Sequence, residues 1–423
     1  MDNKFKFTVL SCLGTALEYY DFIIYGMMAS YITEIFFPGD NVNINLVKTF
    51  SVLAVGYLAR PLGGCLFGLL SDIYGRRNSL LLGMLLMAIM TVCIGLLPSY
   101  NKVGMLSPIL LIICRFTQGL SFGAEIPSVT TLMKEYTQGK KIGKYFGWII
   151  SGTSLGALLA SLMVFLINYI FSHAEIISWA WRIPFIMGAF LAFIVYMMRT
   201  TLPSTSKLIL MNTEQNNTVY RSSIILIKDL FKNHSINLFI GIFITLFFSY
   251  LITISLYLPI YLKQQFGFTT KSFFSVMTIG ILLSGITSPI FGYLGDRYVR
   301  TKLLQIISIS FLIFLFYALQ LMKSGKYSSL VFFIFGYELF ISAFSANCLP
   351  VLAELFPANI RATGIGLCYN LSFSLAALCP IILSHIIETN EHIFVISTLS
   401  GCIVLTTIIA SHCLHKLSPV LQP

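Results

Sequence analysis

The sequence predicts an all-α membrane protein of twelve transmembrane helices in two six-helix halves, and three observations carry that prediction. Of its 423 residues, 57% are hydrophobic and only 10% charged, where a soluble domain carries about a quarter charged residues. Apolar runs of about 20 residues, the helical length that crosses about 30 Å of hydrocarbon, recur from end to end. A polar motif after the second run, GLLSDIYGRR at 68–77, returns as GYLGDRYVRT at 292–301, an offset of 224 residues (292 − 68).

Taken in order, the apolar runs between polar breaks fall near 7–32, 48–70, 79–97, 106–131, 145–170 and 182–202. Six more lie near 236–262, 271–294, 302–322, 329–352, 364–388 and 392–414. This divides the chain into an N-terminal bundle (1–202), a linker (203–235), a C-terminal bundle (236–414) and a tail (415–423). MDNKFKF is basic like a signal peptide, but the apolar segment after it is long, contains acids and lacks a small-residue cleavage site, so it is expected to stay as the first helix. The linker is rich in Ser, Asn, Thr and Lys, and its IILIKDLFK can lie as an amphipathic helix on the membrane face. A glycosylation sequon at Asn216 is discounted, because that loop is expected in the cytoplasm. A motif repeated in the same orientation, after the second run of each half, is what two parallel six-helix repeats about an axis along the membrane normal would leave.

Net charge is +11, from 27 Lys and Arg against 16 Asp and Glu. Eighteen of the 27 fall in loops and ends on the N-terminal side, seven on the opposite side, and two, Arg60 and Arg115, at membrane depth. The positive-inside bias therefore predicts that both termini are cytoplasmic, and it explains the basic charge better than a nucleic-acid partner does. The nine cysteines sit singly in apolar surroundings with no CxxC spacing, as small core residues do. HCLH at 412–415 has a metal-like composition, but it lies at a helix end without further ligands, so no metal and no cofactor is expected. No phosphate-cradling G-x-x-x-x-G-K-[S/T] appears, which argues against an ATP-driven pump within the chain.

In the repeated motif, Asp72 and Asp296 can accept from exposed helical N–H groups, while Arg76, Arg77, Arg297 and Arg300 can anchor the loop to the leaflet. These stretches resemble the motif between the second and third helices of the major facilitator superfamily, which implies a gating role for those six residues and the major facilitator fold for the chain. Ile73 replaces the family's usual Arg, and Val299 and Thr301 depart in the second copy, so the first latch is expected to be weaker than the family norm. Further stretches resemble the metabolite:proton symporter branch, which carries proline and betaine, 2-oxoglutarate, citrate and shikimate. They are GTALEYYDFIIYG (14–26), ARPLGGCLFG (59–68), RFTQGLSFGAE (115–125), WAWRIPF (179–185) and LAELFPANIRATGIGLCYN (352–370). The fourth-helix match is imperfect, because Ile126 and Pro127 follow Ala124-Glu125, which leaves the substrate more open than the family. A pattern of drug:proton antiporters is matched by Gly143, Gly152 and Gly156 but fails at Ala157, and small residues at helix contacts account for those glycines.

A charge at bilayer centre costs at least about 2.5 to 3.5 kcal/mol, so buried acids and arginines mark pathways. Glu18 and Asp21 lie three apart on one face of the first helix. Arg60 is on the second, Arg115 and Glu125 on the fourth, and Glu338 on the tenth. Asp21 and Arg115 both come near mid-membrane, where they can pair. The resemblance implies that this pair couples proton to substrate; the alternative is a fixed ion pair between helices. Glu125 reads equally as a proton exit or a packing residue, and Arg60 as a second anion contact or a partner of Glu18. Tyr20, Tyr25, Tyr257 and Tyr369 are either core fillers or a ring for a quaternary ammonium. Gln118, Asn347 and Asn370 supply neutral hydrogen-bonding groups.

The expectation is a secondary transporter, not an enzyme, of the bacterial inner membrane: a monomer that imports a small organic acid or zwitterionic osmolyte with protons by alternating access. The alternatives are an exporter of drugs or a metal-chelating metabolite, and a nutrient sensor that moves nothing.

Overall fold

A computed structural model of the chain describes residues 3–39, 42–138, 141–201, 223–379 and 392–417. Most of the predicted linker, including Asn216, lies outside the described residues, as do Lys140, residues 380–388 at the end of the eleventh predicted span, and tail residues 418–423.

The described residues are helical and contain no strand. The first half comprises α1 (Asn3–Met27), α2 (Ala29–Phe36), α3 (Val42–Tyr74), α4 (Arg76–Leu96), the short α5 (Tyr100–Val103), α6 (Leu106–Thr137), α7 (Ile142–Ile170), the short α8 (His173–Ser178) and α9 (Ile183–Thr200). α10 (Ser223–Asn233) falls inside the predicted linker. The second half comprises α11 (Ser235–Phe266), α12 (Thr270–Gly295), α13 (Arg300–Met322), α14 (Tyr327–Leu355), α15 (Arg361–Ala376) and α16 (His392–Leu417). Eleven of these helices are long and apolar enough to cross a bilayer. The eleventh predicted span is represented by α15, described only to the point where its sequence continues beyond Cys379.

The first predicted span, 7–32, differs in detail. Its helix ends at Met27, and α2 continues after Met28, whose N–H still reaches the Ile24 carbonyl at 2.9 Å. The amphipathic IILIKDLFK segment is helical in α10, with Leu226 and Leu230 buried and Phe231 exposed.

One end of the molecule carries both helical termini and both copies of the repeated motif. Phe7 near the start of α1 stacks on Tyr136 near the end of α6, with ring centroids 4.7 Å apart. Asn237 at the start of α11 donates to the Leu355 carbonyl at the end of α14 (2.9 Å), and further along the Thr407 hydroxyl of α16 donates to the Phe243 carbonyl of α11 (3.2 Å).

Helices pack through glycine, as expected where lipid supplies no hydrophobic drive and backbones must approach closely. Such approaches also join the halves. A Cβ on Gly64 of α3 would lie 2.3 Å from the Gly366 carbonyl oxygen of α15, and one on Gly143 of α7 would lie 2.4 Å from that of Gly292 of α12. Large apolar side chains such as Leu58, Leu62, Phe190, Ile286 and Ile313 point outward and are exposed, as a lipid-facing surface requires.

Candidate functional site

Within the N-terminal half, α3 and α6 carry Arg60 and Arg115 to one small cavity, lined also by Phe22, Leu53, Gln118 and Phe122. α3 and α6 can sit this close because glycines mark their crossing; a Cβ on Gly119 would stand 2.2 Å from the Gly56 carbonyl oxygen. Pro61 lies inside α3 directly after Arg60, and a proline there removes one backbone hydrogen bond and bends the helix locally.

The expected direct pair between Asp21 and Arg115 is absent from this arrangement. The Asp21 carboxylate instead accepts from the Thr91 hydroxyl at Oδ1 (2.8 Å) and from the Gln118 amide at Oδ2 (2.8 Å). Gln118 also donates to Thr91 (2.9 Å), which closes a three-residue network. Arg115 lies with its guanidinium carbon 3.8 Å from the Tyr25 ring centroid, and its Nε and Nη2 are buried without a hydrogen-bond partner. Tyr25 is fixed by donating to the Thr49 carbonyl (3.2 Å). A charged group held over a ring with free N–H groups is satisfied electrostatically but not by hydrogen bonds, and it can accept an anion without first breaking an ion pair.

Glu125 has a cation partner that the sequence reading missed. Arg199 near the end of α9 is fully buried and grips Glu125 with both ends of its guanidinium, Nη1 to Oε2 at 2.8 Å and Nη2 to Oε1 at 2.6 Å. Its Nε donates to the Leu10 carbonyl (3.2 Å). Gly14 makes room, since a Cβ there would lie 1.8 Å from Arg199 Nη2. By sequence Arg199 is one of the eighteen basic residues counted in loops and ends on the N-terminal side, because sequence gives depth along a helix but not direction. Glu18 forms no pair within 4.0 Å with Arg60; its Oε2 is buried without a hydrogen-bond partner, beside a small cavity that Glu125 also lines.

Among the remaining candidates, Tyr369 and Asn370 of α15 join Arg60. Asn370 Oδ1 accepts from Arg60 Nε at 3.4 Å. Three others lie elsewhere. Tyr20 donates to the Pro184 carbonyl (2.8 Å) and ties α1 to α9. Asn347 donates to the Ala343 and Phe291 carbonyls (2.8 and 3.3 Å) and fills the space left by Gly295. Tyr257 lines a separate apolar cavity inside the C-terminal half, with Tyr250, Tyr261 and Tyr337.

At the terminus-bearing end, the repeated motif forms two matching latches. Asp72 receives Thr363 N–H (2.8 Å), Thr363 hydroxyl (2.8 Å) and Ala362 N–H (3.2 Å) at the start of α15. Asp296 receives the Gly143 and Lys144 N–H groups (2.8 and 2.9 Å) at the start of α7. Each acid of one half thus caps a helix of the other, where the helix N-terminus favours negative charge. Arg76 reaches the Ala358 carbonyl (2.5 Å) and Glu135 (2.7 Å), while Arg300 joins Asp296 (2.7 Å) to Glu354 (2.8 Å). Lys134 adds a bond to the Ala353 carbonyl (2.9 Å). Arg77 and Arg297 stand outside the latches; Arg77 donates to the Thr200 carbonyl of its own half and Arg297 to the Tyr293 hydroxyl one turn back. Glu135, Glu354 and Lys134 were not singled out as partners, although all three lie near helix ends at that face.

The model of the Major Facilitator Superfamily matches residues 11–411 of the chain. The chain belongs to the Major Facilitator Superfamily. As a member of this superfamily it is an integral membrane transporter and not an enzyme. It is 28% identical over 397 residues to a glycine betaine/proline/ectoine/pipecolic acid transporter of Dickeya dadantii, covering 92% of this chain and 79% of that one. It is 28% identical over 401 residues to a proline/betaine transporter of Escherichia coli strain K12 (93% and 80%). It is 31% identical over 383 residues to a putative proline/betaine transporter of Staphylococcus aureus (88% and 80%). Among solved structures it resembles a proton:xylose symporter, with a TM-score of 0.74 and 16% identity over 98% of this chain and 95% of the other, a likeness of fold. These bacterial superfamily relatives place the chain in the inner membrane.

Proposed function

We propose that this superfamily member imports a small zwitterionic osmolyte or organic acid, of the proline or betaine kind carried by its relatives, together with protons. The observation that carries this reading is a buried arginine with two free nitrogens beside a cavity of the N-terminal bundle, one residue network away from a buried aspartate. The terminus-bearing end, taken as cytoplasmic from the positive-inside count, is latched shut in this state.

The chemistry is a contest for one cation. Arg115 lowers the cost of a charged Asp21 as long as it stays near, so a substrate carboxylate that draws Arg115 toward the cavity raises the proton affinity of Asp21. A bidentate guanidinium suits a carboxylate in both charge and shape. Gln118 can serve both forms of the acid: its amide donates to ionised Asp21, and turned over by half a rotation it offers a carbonyl to protonated Asp21. Proton and carboxylate then favour the same state, which is the mutual dependence that symport requires.

One proton moving inward down about 100 mV releases about 2.3 kcal/mol. At about 1.4 kcal/mol per tenfold, this supports roughly forty-fold accumulation of a net-neutral zwitterion. Uptake into proteoliposomes under an imposed pH gradient, acidic outside, tests the reading. Inward accumulation supports it, outward movement supports an exporter, and saturable binding without flux supports a sensor.

A further inference from the structure

Arg60 sits in surroundings that the transport reading leaves unused. Its guanidinium carbon lies 4.7 Å from the Phe373 ring centroid, 4.8 Å from Phe122, 5.6 Å from Tyr57 and 5.9 Å from Tyr369. All four rings are buried. Among the described residues, no carboxylate stands within ion-pair distance of Arg60, and its hydrogen bond to Asn370 is long at 3.4 Å. A cation is therefore held mainly by ring faces, which is how proteins hold ammonium groups that lack N–H donors.

The rings come from both halves: Tyr57 and Phe122 from α3 and α6, Tyr369 and Phe373 from α15. Phe122 also lines the cavity that Arg115 lines. We propose that these four rings are a binding site for the quaternary ammonium end of a zwitterionic substrate, and that Arg60 occupies it as a placeholder until the substrate arrives. This rests on the reading of the cavity as the substrate site and names the class of cargo.

The geometry gives each end of such a molecule a place. The carboxylate takes the free nitrogens of Arg115, and the methylated nitrogen displaces the Arg60 guanidinium. The displaced arginine has a destination in Glu18, whose Oε2 has no hydrogen-bond partner. Because the cage is built from both halves, the ammonium end ties α15 to α3 and α6. A carboxylate without that end would engage the N-terminal half alone.

The test is calorimetric titration of the full chain, purified in detergent, with two probes of equal shape: trimethylglycine and its carbon isostere 3,3-dimethylbutyrate. The cage predicts that trimethylglycine binds at least about tenfold more tightly. Phe373→Leu should erase that margin and Phe373→Tyr, which keeps the ring, should preserve it. Arg60→Gln should tighten trimethylglycine binding, because the cage is then vacant. A margin below tenfold, or one that survives Phe373→Leu, overturns the cage, and weakened binding in Arg60→Gln overturns the placeholder role. If the margin holds but no pH-driven uptake occurs, proton symport fails while the cage stands; uptake without the margin has the opposite meaning.

Discussion

Replacing Asp72 with Asn should open the latch at the terminus-bearing end, and the size of the effect follows from its contacts. The carboxylate accepts two bonds at 2.8 Å and one at 3.2 Å from the start of α15, and Arg76 stands 3.6 Å away. Hydrogen bonds to a charged group contribute about 1.5 to 3 kcal/mol each. The amide keeps one oxygen for these donors and turns an NH2 toward the rest, so the loss should be about 3 kcal/mol in the latched state. At about 1.4 kcal/mol per tenfold, the ratio of latched to open molecules falls roughly a hundredfold. A population of about 99:1 would then become about 1:1. Spin labels on exposed Lys141 of the first half and Lys302 of the second, in a background without the nine cysteines, report the change by electron–electron distance measurement. A second, longer distance should appear in Asp72→Asn and again in Asp296→Asn. An unchanged distance distribution in both variants would refute the latch reasoning.

Arg199→Met leaves Glu125 buried and unpaired and should destabilise the protein by about 3 to 5 kcal/mol, whereas Arg199→Met with Glu125→Gln should recover most of that loss, as thermal unfolding in detergent will show. Arg115→Lys keeps the charge but loses the planar fork, and should weaken carboxylate binding at least about tenfold in a titration, if two nitrogens hold the cargo. Gly64→Ala places a methyl against the Gly366 backbone, which cannot move aside as a side chain could, and should abolish uptake while leaving the protein in the membrane.

The spans were legible in the sequence because a bilayer imposes one length on every helix, and the repeated Gly and Asp revealed the two halves. The break at Met28 was not, since the nearby Gly26 lies inside α1 and the backbone hydrogen bonds run through the break. Direction around a helix was harder to read than depth along it. Glu125 was recognised as buried, but Arg199, 74 positions away (199 − 125), looked like one more basic residue at a cytoplasmic helix end until Gly14 was seen to leave space for it. The aromatic cage was hidden by abundance, for a chain with 36 Phe and 21 Tyr gives no sign of which four surround a cation. Tyr369 and Asn370 were found because they lie in a motif; Phe373, one turn further along the same face, was not. Asp21 and Arg115 are both buried, but the threonine and glutamine that bind Asp21 are too ordinary in a sequence to draw notice.

The central claim is that Asp21 carries the proton, and Asp21→Asn tests it most directly. Reconstituted beside the unaltered protein, the variant should exchange labelled for unlabelled substrate across the membrane yet fail to accumulate it under an imposed pH gradient. Accumulation equal to that of the unaltered protein would contradict the account.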